Sequence, residues 1–164
     1  SSANLSSANL SSANLYSANL DSANLDSANL DSANLSSANL DSANLYSANL
    51  DSANLDSANL YSANLYSADL SSADLSSADL DSANLDSAIF LSTKLGTVQN
   101  LTHQQLTEGI PPLICNTTLP AEFETYQDRD RDRLPAILRE RYPDLFESLE
   151  AAEKYINEQH PPTV

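Results

Sequence analysis

Along the first ninety residues the apolar positions recur every five. Leu stands at 5, 10, 15 and onward to 85, Ala precedes each Leu by two, and Ser, Asn or Asp fill most of the rest. Neither regular element accommodates this spacing. In a helix a five-residue step turns about 140°, so Leu5, Leu10, Leu15 and Leu20 scatter around the axis and no apolar face forms. Ser, Asn and Asp also compete with helical backbone bonds through their own side chains. In a strand, Ala and the Leu after it share a face, but the next Ala lies three residues on and points the other way. Parity returns only if the chain turns a corner between each Leu and the following Ala. Each pentapeptide is then one short side, with Ala and Leu inward and the other three positions outward. Sides joined by regular corners make a solenoid.

From Ser1 to Phe90 the unit is X-Ser-Ala-Asn/Asp-Leu, with X restricted to Ser, Asp or Tyr, and the one lapse is Asp86-Ser87-Ala88-Ile89-Phe90. Leu91–Leu95 keeps Leu95 in the Leu slot and Thr93 in the Ala slot, and Gly96–Asn100 keeps only Val98. The run from Ala3-Asn4-Leu5-Ser6-Ser7 to Ala83-Asn84-Leu85-Asp86-Ser87 resembles the bacterial pentapeptide-repeat family over more than half the chain. That resemblance implies a mainly β fold, a right-handed quadrilateral β-helix with twenty residues per coil. About five coils then occupy residues 1–100, and 101–164 form an α-helical C-terminal capping region.

A twenty-residue coil stacks residues twenty apart. Asn4, Asn24, Asn44, Asn64 and Asn84 form a column of amides that can bond along its length. Tyr46 stands over Tyr66, Asp74 over Lys94 and Asp79 over Gln99. Asp21 over Asp41 and Asp31 over Asp51 set like charges against each other. Type II corners would require a positive φ at the position always held by Ser, so the turn type stays open.

After residue 95 the composition changes. Thr102-His103-Gln104-Gln105 fits a capping box, with Leu101 and Leu106 as its hydrophobic staple and Gly109 as its stop, predicting a helix at about 102–108. A second helix is expected over Leu134–Arg141, with Pro135 in its first turn, and a third from Pro143 to about Asn157. The third would carry Leu145, Phe146, Leu149, Ala152 and Ile156 on one face, which must dock on the end of the solenoid, the preceding helix or a second copy of the chain, the solenoid end being favoured.

Composition changes the picture mainly by exclusion. Lys and Arg number 7 against 23 Asp and Glu, a net charge of −16, and the first ninety residues hold 11 Asp and no base. Binding to nucleic acid or an anionic membrane is not expected. No apolar run is long enough for a membrane span or signal peptide, and one Cys fits a reducing, cytoplasmic setting. Asp128-Arg129-Asp130-Arg131-Asp132-Arg133 opens like a calcium loop, but Arg133 stands where Gly is needed and Arg139 where Glu is. It reads as a solvated turn or helix start. His103 and His160 lack partners at ligand spacing and read as surface residues; Cys115 reads as a buried cap residue. The sequons at Asn100 and Asn116 lack a secretory context. No catalytic, cofactor or metal residues emerge, and no cofactor is expected. Two functional readings remain. One is an engineered consensus scaffold with no enzymatic or other biochemical activity. The other, implied by the resemblance, is an acidic DNA mimic that inhibits a type II topoisomerase. A first coil opening on Leu5, Leu10, Leu15 and Leu20 is an expected surface for self-association.

Overall fold

The computed structural model of the chain describes residues 2–126 and 128–159. Its repeat region is a β-solenoid. Parallel bridges join residues twenty apart, from Asn4↔Asn24 to Asp79↔Gln99, with a corner every five residues, so four pentapeptides make each step. The corners are so frequent that each side keeps a single bridge. Among the described residues the one regular parallel pair is β1 (Ile89–Leu91) with β2 (Leu113–Cys115).

In the inner coils, residues 21–60, every backbone N–H of a repeat has a partner. Leu5 N donates to Asn24 O at 2.7 Å, Ser7 N to Asp26 O at 2.7 Å, and Asn24 N back to Ala3 O at 2.9 Å. Ala8 N closes the corner on Leu5 O at 3.0 Å. The fifth, the N–H of X, donates to the side-chain oxygen of the Asn two residues earlier, as Ser6 N does to Asn4 Oδ1 at 3.2 Å. This Asx bond is why Asn and Asp both serve at the fourth position. The amide nitrogen of Asn then reaches along the column: Asn44 donates to Asn24, Asn64 to Asn44 and Asn84 to Asn64, at 3.1–3.3 Å.

The open question of the corner is answered by φ. The second-position serine has a positive φ at all 18 corners from Ser7 to Ser92, between 51° and 58°, and the residue before it does not. These are type II turns with Ser in the place glycine prefers. Thr97 is the exception: a β-branched residue stands there, and its corner closes through Val98 N to Leu95 O without a left-handed residue.

Inside, every Leu from Leu25 to Leu80 is fully buried, with the Ala before each beside it. Of the four leucines expected to lie open at the first coil, Leu20 is buried. Leu5, Leu10 and Leu15 are half-buried and pack on the same core.

The bridging does not stop where the repeat does. Lys94 pairs with Thr118, and Ile89 with Leu113, an offset of 24 instead of 20. The four extra residues are housed around α1 (His103–Thr107). The expected capping box is present, and Gln105 also donates its amide to Leu80 O and Ala83 O, standing in for the missing backbone of that side. Gly109 has φ 65°, and a Cβ there would lie 2.9 Å from the Asp86 carboxylate. Cys115-Asn116-Thr117-Thr118-Leu119 behaves as one more pentapeptide. Asn116 takes the left-handed corner at φ 49°, Thr117 and Leu119 turn inward, and the Thr117 hydroxyl donates to Phe90 O. A short 3-10 helix, Ala121–Tyr126, follows, and its Phe123 joins the solenoid core with Leu106 and Leu119.

Helices α2 (Leu134–Arg141) and α3 (Leu149–Gln159) pack on each other, but on the flank of the solenoid instead of its end. Leu134, Leu138, Ala152 and Ile156 bury a second cluster against Ile89, Leu91 and Cys115. The lapse in the repeat is what makes this seat: Ile89 and Leu91 replace polar outward residues and flank the inward Phe90. α3 also begins six residues later than expected, because the Ser148 hydroxyl accepts Ala151 N at 3.1 Å and caps it there. Leu145 and Leu149 are consequently off the buried face, 73% and 45% exposed.

The corner serines define a paired test. At Ser62, whose hydroxyl has no role in the corner, Gly relieves a left-handed strain of about 1–2 kcal/mol and costs about 0.5–1 kcal/mol in unfolded-chain entropy. Ser62→Gly is therefore expected to raise the unfolding free energy by about 0.5–1 kcal/mol, and Ser62→Val to lower it. Denaturant titrations in which Val equals Gly would contradict the type II assignment.

Candidate functional site

Two places concentrate chemistry, and both are built where the C-terminal segment meets the solenoid. The first is the free edge of β2. Its outward-directed amides would be unpaired, yet Ile114 N donates to Asp130 Oδ2 at 3.1 Å and Asn116 N to Asp128 Oδ1 at 3.1 Å. Asp130 N returns a bond to Ile114 O at 2.9 Å. The Asp-Arg alternation is therefore a latch on the sheet edge, not the solvated turn the charge pattern suggested. Asp130 is 3% exposed and held by Arg129 at 3.0 Å and Arg133 at 3.1 Å. Arg129 also donates to Leu106 O and Pro112 O and lies 5.6 Å from the centre of the Tyr126 ring.

Cys115 donates its thiol to Asp128 Oδ1 at 3.2 Å. Burial first, then the hydrogen bond and charge of Asp128, push the thiol up to about 12, against the smaller opposing pull of Arg131. It is a proton-holding structural thiol. His103 sets its ring edge-on to Phe123, with centroids 4.7 Å apart, and His160 lies outside the described residues. Among the described residues no group of His, Cys, Asp or Glu could hold a metal ion, and no helix is long and apolar enough to cross a membrane.

The second place is a groove of about 460 Å³ between the α2–α3 pair and the solenoid flank. Its floor carries Asp51, Asp69 and Ser71, and its far wall Tyr142, Phe146 and Tyr155. Asp69 Oδ1 accepts the Ser71 N–H at 3.0 Å and its hydroxyl at 2.6 Å, while Oδ2 accepts the Tyr142 hydroxyl. Asp51 Oδ1 accepts the Ser52 hydroxyl at 3.1 Å. Phe146 and Tyr155 meet at 5.3 Å and 61°. Burial raises the pKa of Asp51 despite the Ser52 hydrogen bond, and the charges of Asp69 and Asp31 raise it further. Tyr155 is raised by burial, then by Asp51 and Asp69. Sequence reasoning found none of these groove residues as a set. The one signal was that Tyr142 and Tyr155 are aromatic at positions the apolar stripe does not require.

The outward columns behave as the stacking implied, with one correction. Tyr46 and Tyr66 stack at 5.4 Å and 3°. Lys94 pairs with Asp74 at 2.9 Å. Burial tends to raise the Asp74 pKa, but bonds from Ser76 and Lys94 outweigh it and hold the group below its ordinary value. Gln99 does not reach Asp79. Asn100 Nδ2 takes that role at 2.8 Å, and Gln99 donates to Ser77 O. The repeat acids stand in all four X columns and form no single stripe, as Asp21, Asp26, Asp31 and Asp56 already show.

A family model described as pentapeptide repeats matches in eight copies, over residues 1–36, 28–65, 38–76 and 63–96. The chain belongs to the pentapeptide repeat family. Among solved structures, it is similar to HetL, a pentapeptide repeat protein involved in heterocyst differentiation regulation from Nostoc sp. strain PCC 7120. The identity is 33% with a TM-score of 0.47, over 74% of this chain and 61% of HetL, so the chain spans less than two thirds of that relative. The pentapeptide repeat protein alr5209 of Nostoc PCC 7120 is 31% identical with a TM-score of 0.44, covering 68% of this chain and 85% of that one. QnrB1, a plasmid-mediated fluoroquinolone resistance protein, is 16% identical with a TM-score of 0.36, over 77% and 70%. No curated protein matches the chain.

Two measurements test the latch. Asp130→Ala leaves a buried N–H and two arginines without their carboxylate, and is expected to cost on the order of 2 kcal/mol in guanidinium unfolding; a change within error would mean the edge is not held there. Cys115 is expected to resist a disulfide reagent at pH 8 in the native protein and to react at once when unfolded. Native labelling at the rate of an exposed cysteine would contradict the buried, protonated thiol.

Proposed function

We propose that the chain is an engineered structural scaffold. It would be an idealised pentapeptide-repeat solenoid of about five right-handed coils, closed by a natural-type helical cap and with no catalysis of its own. The observation that supports this most is the corner. Serine is kept at every left-handed corner from Ser7 to Ser92, although a side chain there costs about 1–2 kcal/mol relative to glycine. Selection acting corner by corner would relieve that cost at some positions, whereas a consensus copied by design repeats it. The filled interior also supports the reading, because Leu25 to Leu80 leave the tube no internal cleft. In this reading the charge of −16 keeps a repetitive surface soluble. The acidic-rod alternative gains no support from acids that are dispersed around all sides.

A scaffold of interchangeable coils tolerates addition. Inserting a second copy of residues 41–60 after Leu60 is expected to keep the β-rich circular dichroism and raise the unfolding midpoint. A protein that aggregates or unfolds at a lower temperature than the parent would overturn the reading.

A further inference from the structure

We propose that the groove between the α2–α3 pair and the solenoid flank binds a small aliphatic ammonium ion. The hydrogen-bond partners of Asp51 and Asp69 are neutral: the Ser52 hydroxyl on one, and the Ser71 amide and hydroxyl with the Tyr142 hydroxyl on the other. Among the described residues no Lys or Arg side chain lines the groove. Burial raises the Asp51 pKa against the Ser52 hydrogen bond, and the neighbouring charges of Asp69 and Asp31 add to the rise.

The opposite wall supplies the second half of the recognition. Tyr142, Phe146 and Tyr155 present three aromatic rings within one cavity, and Leu138 and Leu91 complete an apolar lining. Aromatic rings and carboxylates lining one groove suit a cation with an aliphatic body: the ammonium would take carboxylate oxygens and the methylenes the rings and the apolar wall. A volume of about 460 Å³ matches a small molecule. A bare metal ion would leave the aromatic wall unused, and an anion is excluded by the floor. The flank column makes the same point by contrast. Asp74, one side over, has Lys94 on it, whereas below Asp69 stands Ile89, so that column provides no cation of its own.

The test uses the full chain and butane-1,4-diamine as probe, with the aromatic resonances followed by NMR. Saturable shifts at Tyr142, Phe146 and Tyr155 at millimolar probe are expected, with affinity falling about tenfold in Asp51→Asn, which removes a charge-assisted bond but keeps the shape. Asp56→Asn, on another column, should leave affinity unchanged, and circular dichroism should show both variants folded. Tetramethylammonium, which has no N–H to donate, should bind more weakly than the diamine. Equal losses in Asp51→Asn and Asp56→Asn would reduce the effect to a counterion atmosphere and overturn the proposal. So would an absence of ring shifts. Tighter binding of a lysine-containing peptide than of the diamine would assign the groove to a protein partner and overturn the small-molecule occupant.

Discussion

The structure rests on one hydrogen bond that the backbone cannot make for itself. Four of the five amides in a stacked repeat find carbonyls, three in the neighbouring coils and one at the corner. The fifth is satisfied by the side-chain oxygen of the fourth residue, as in Ser6 N to Asn4 Oδ1. That bond ties the corner to the side before it, and buried or half-buried amides left open would cost about 1–3 kcal/mol each. Asn serves twice, because its nitrogen also reaches the coil above, while Asp69 and Asp74 keep the corner bond and recruit a serine hydroxyl. Where Ile89 replaces the Asx residue, the chain stays extended to Leu91 and becomes a true strand. The place that loses the corner bond gains the apolar seat for α2 and α3.

The solenoid was legible because a five-residue period with inward Ala and Leu admits no regular helix or strand. The column partners followed from arithmetic, and Tyr46 with Tyr66 and Asp74 with Lys94 are where that arithmetic put them. The turn type was not legible, since Ser at positive φ opposes its local preference and only the closure of the whole coil imposes it. Nor was the pentapeptide at Cys115–Leu119, in which Asn116 and Thr117 replace Ser and Ala. Its clue was the likeness of Thr117 to Thr93, each buried with its hydroxyl on a carbonyl of the neighbouring coil.

The docking site of the helices was missed for a reason of parity. Ile89, Phe90 and Leu91 look like one apolar run, but alternate residues face opposite ways, so Phe90 feeds the core while its neighbours feed the flank. The groove could not be read from the sequence at all. Asp51 and Asp69 lie in the repeat and Tyr142 and Tyr155 about ninety residues later, and only the flank docking brings them together. The basic residues show a similar economy of placement: a chain this acidic gathers Arg129, Arg131 and Arg133 where carboxylates are buried on the sheet edge.

The direction of the coil-to-coil bonds has a mechanical consequence. N–H to carbonyl bonds such as Leu25 to Asn44 run along the axis, so tension along the axis loads them by peeling rather than by shear. Coils should come away one after another, each releasing twenty residues, a length of about 70 Å when extended. Pulled from its C-terminal end, the chain must first lift α3 and α2 off the flank and then break the bonds of Asp130 and Asp128 before any coil can yield. Its resistance to force would therefore lie first in the docked helices and then in two side chains, and everything after them would unwind like thread from a square spool.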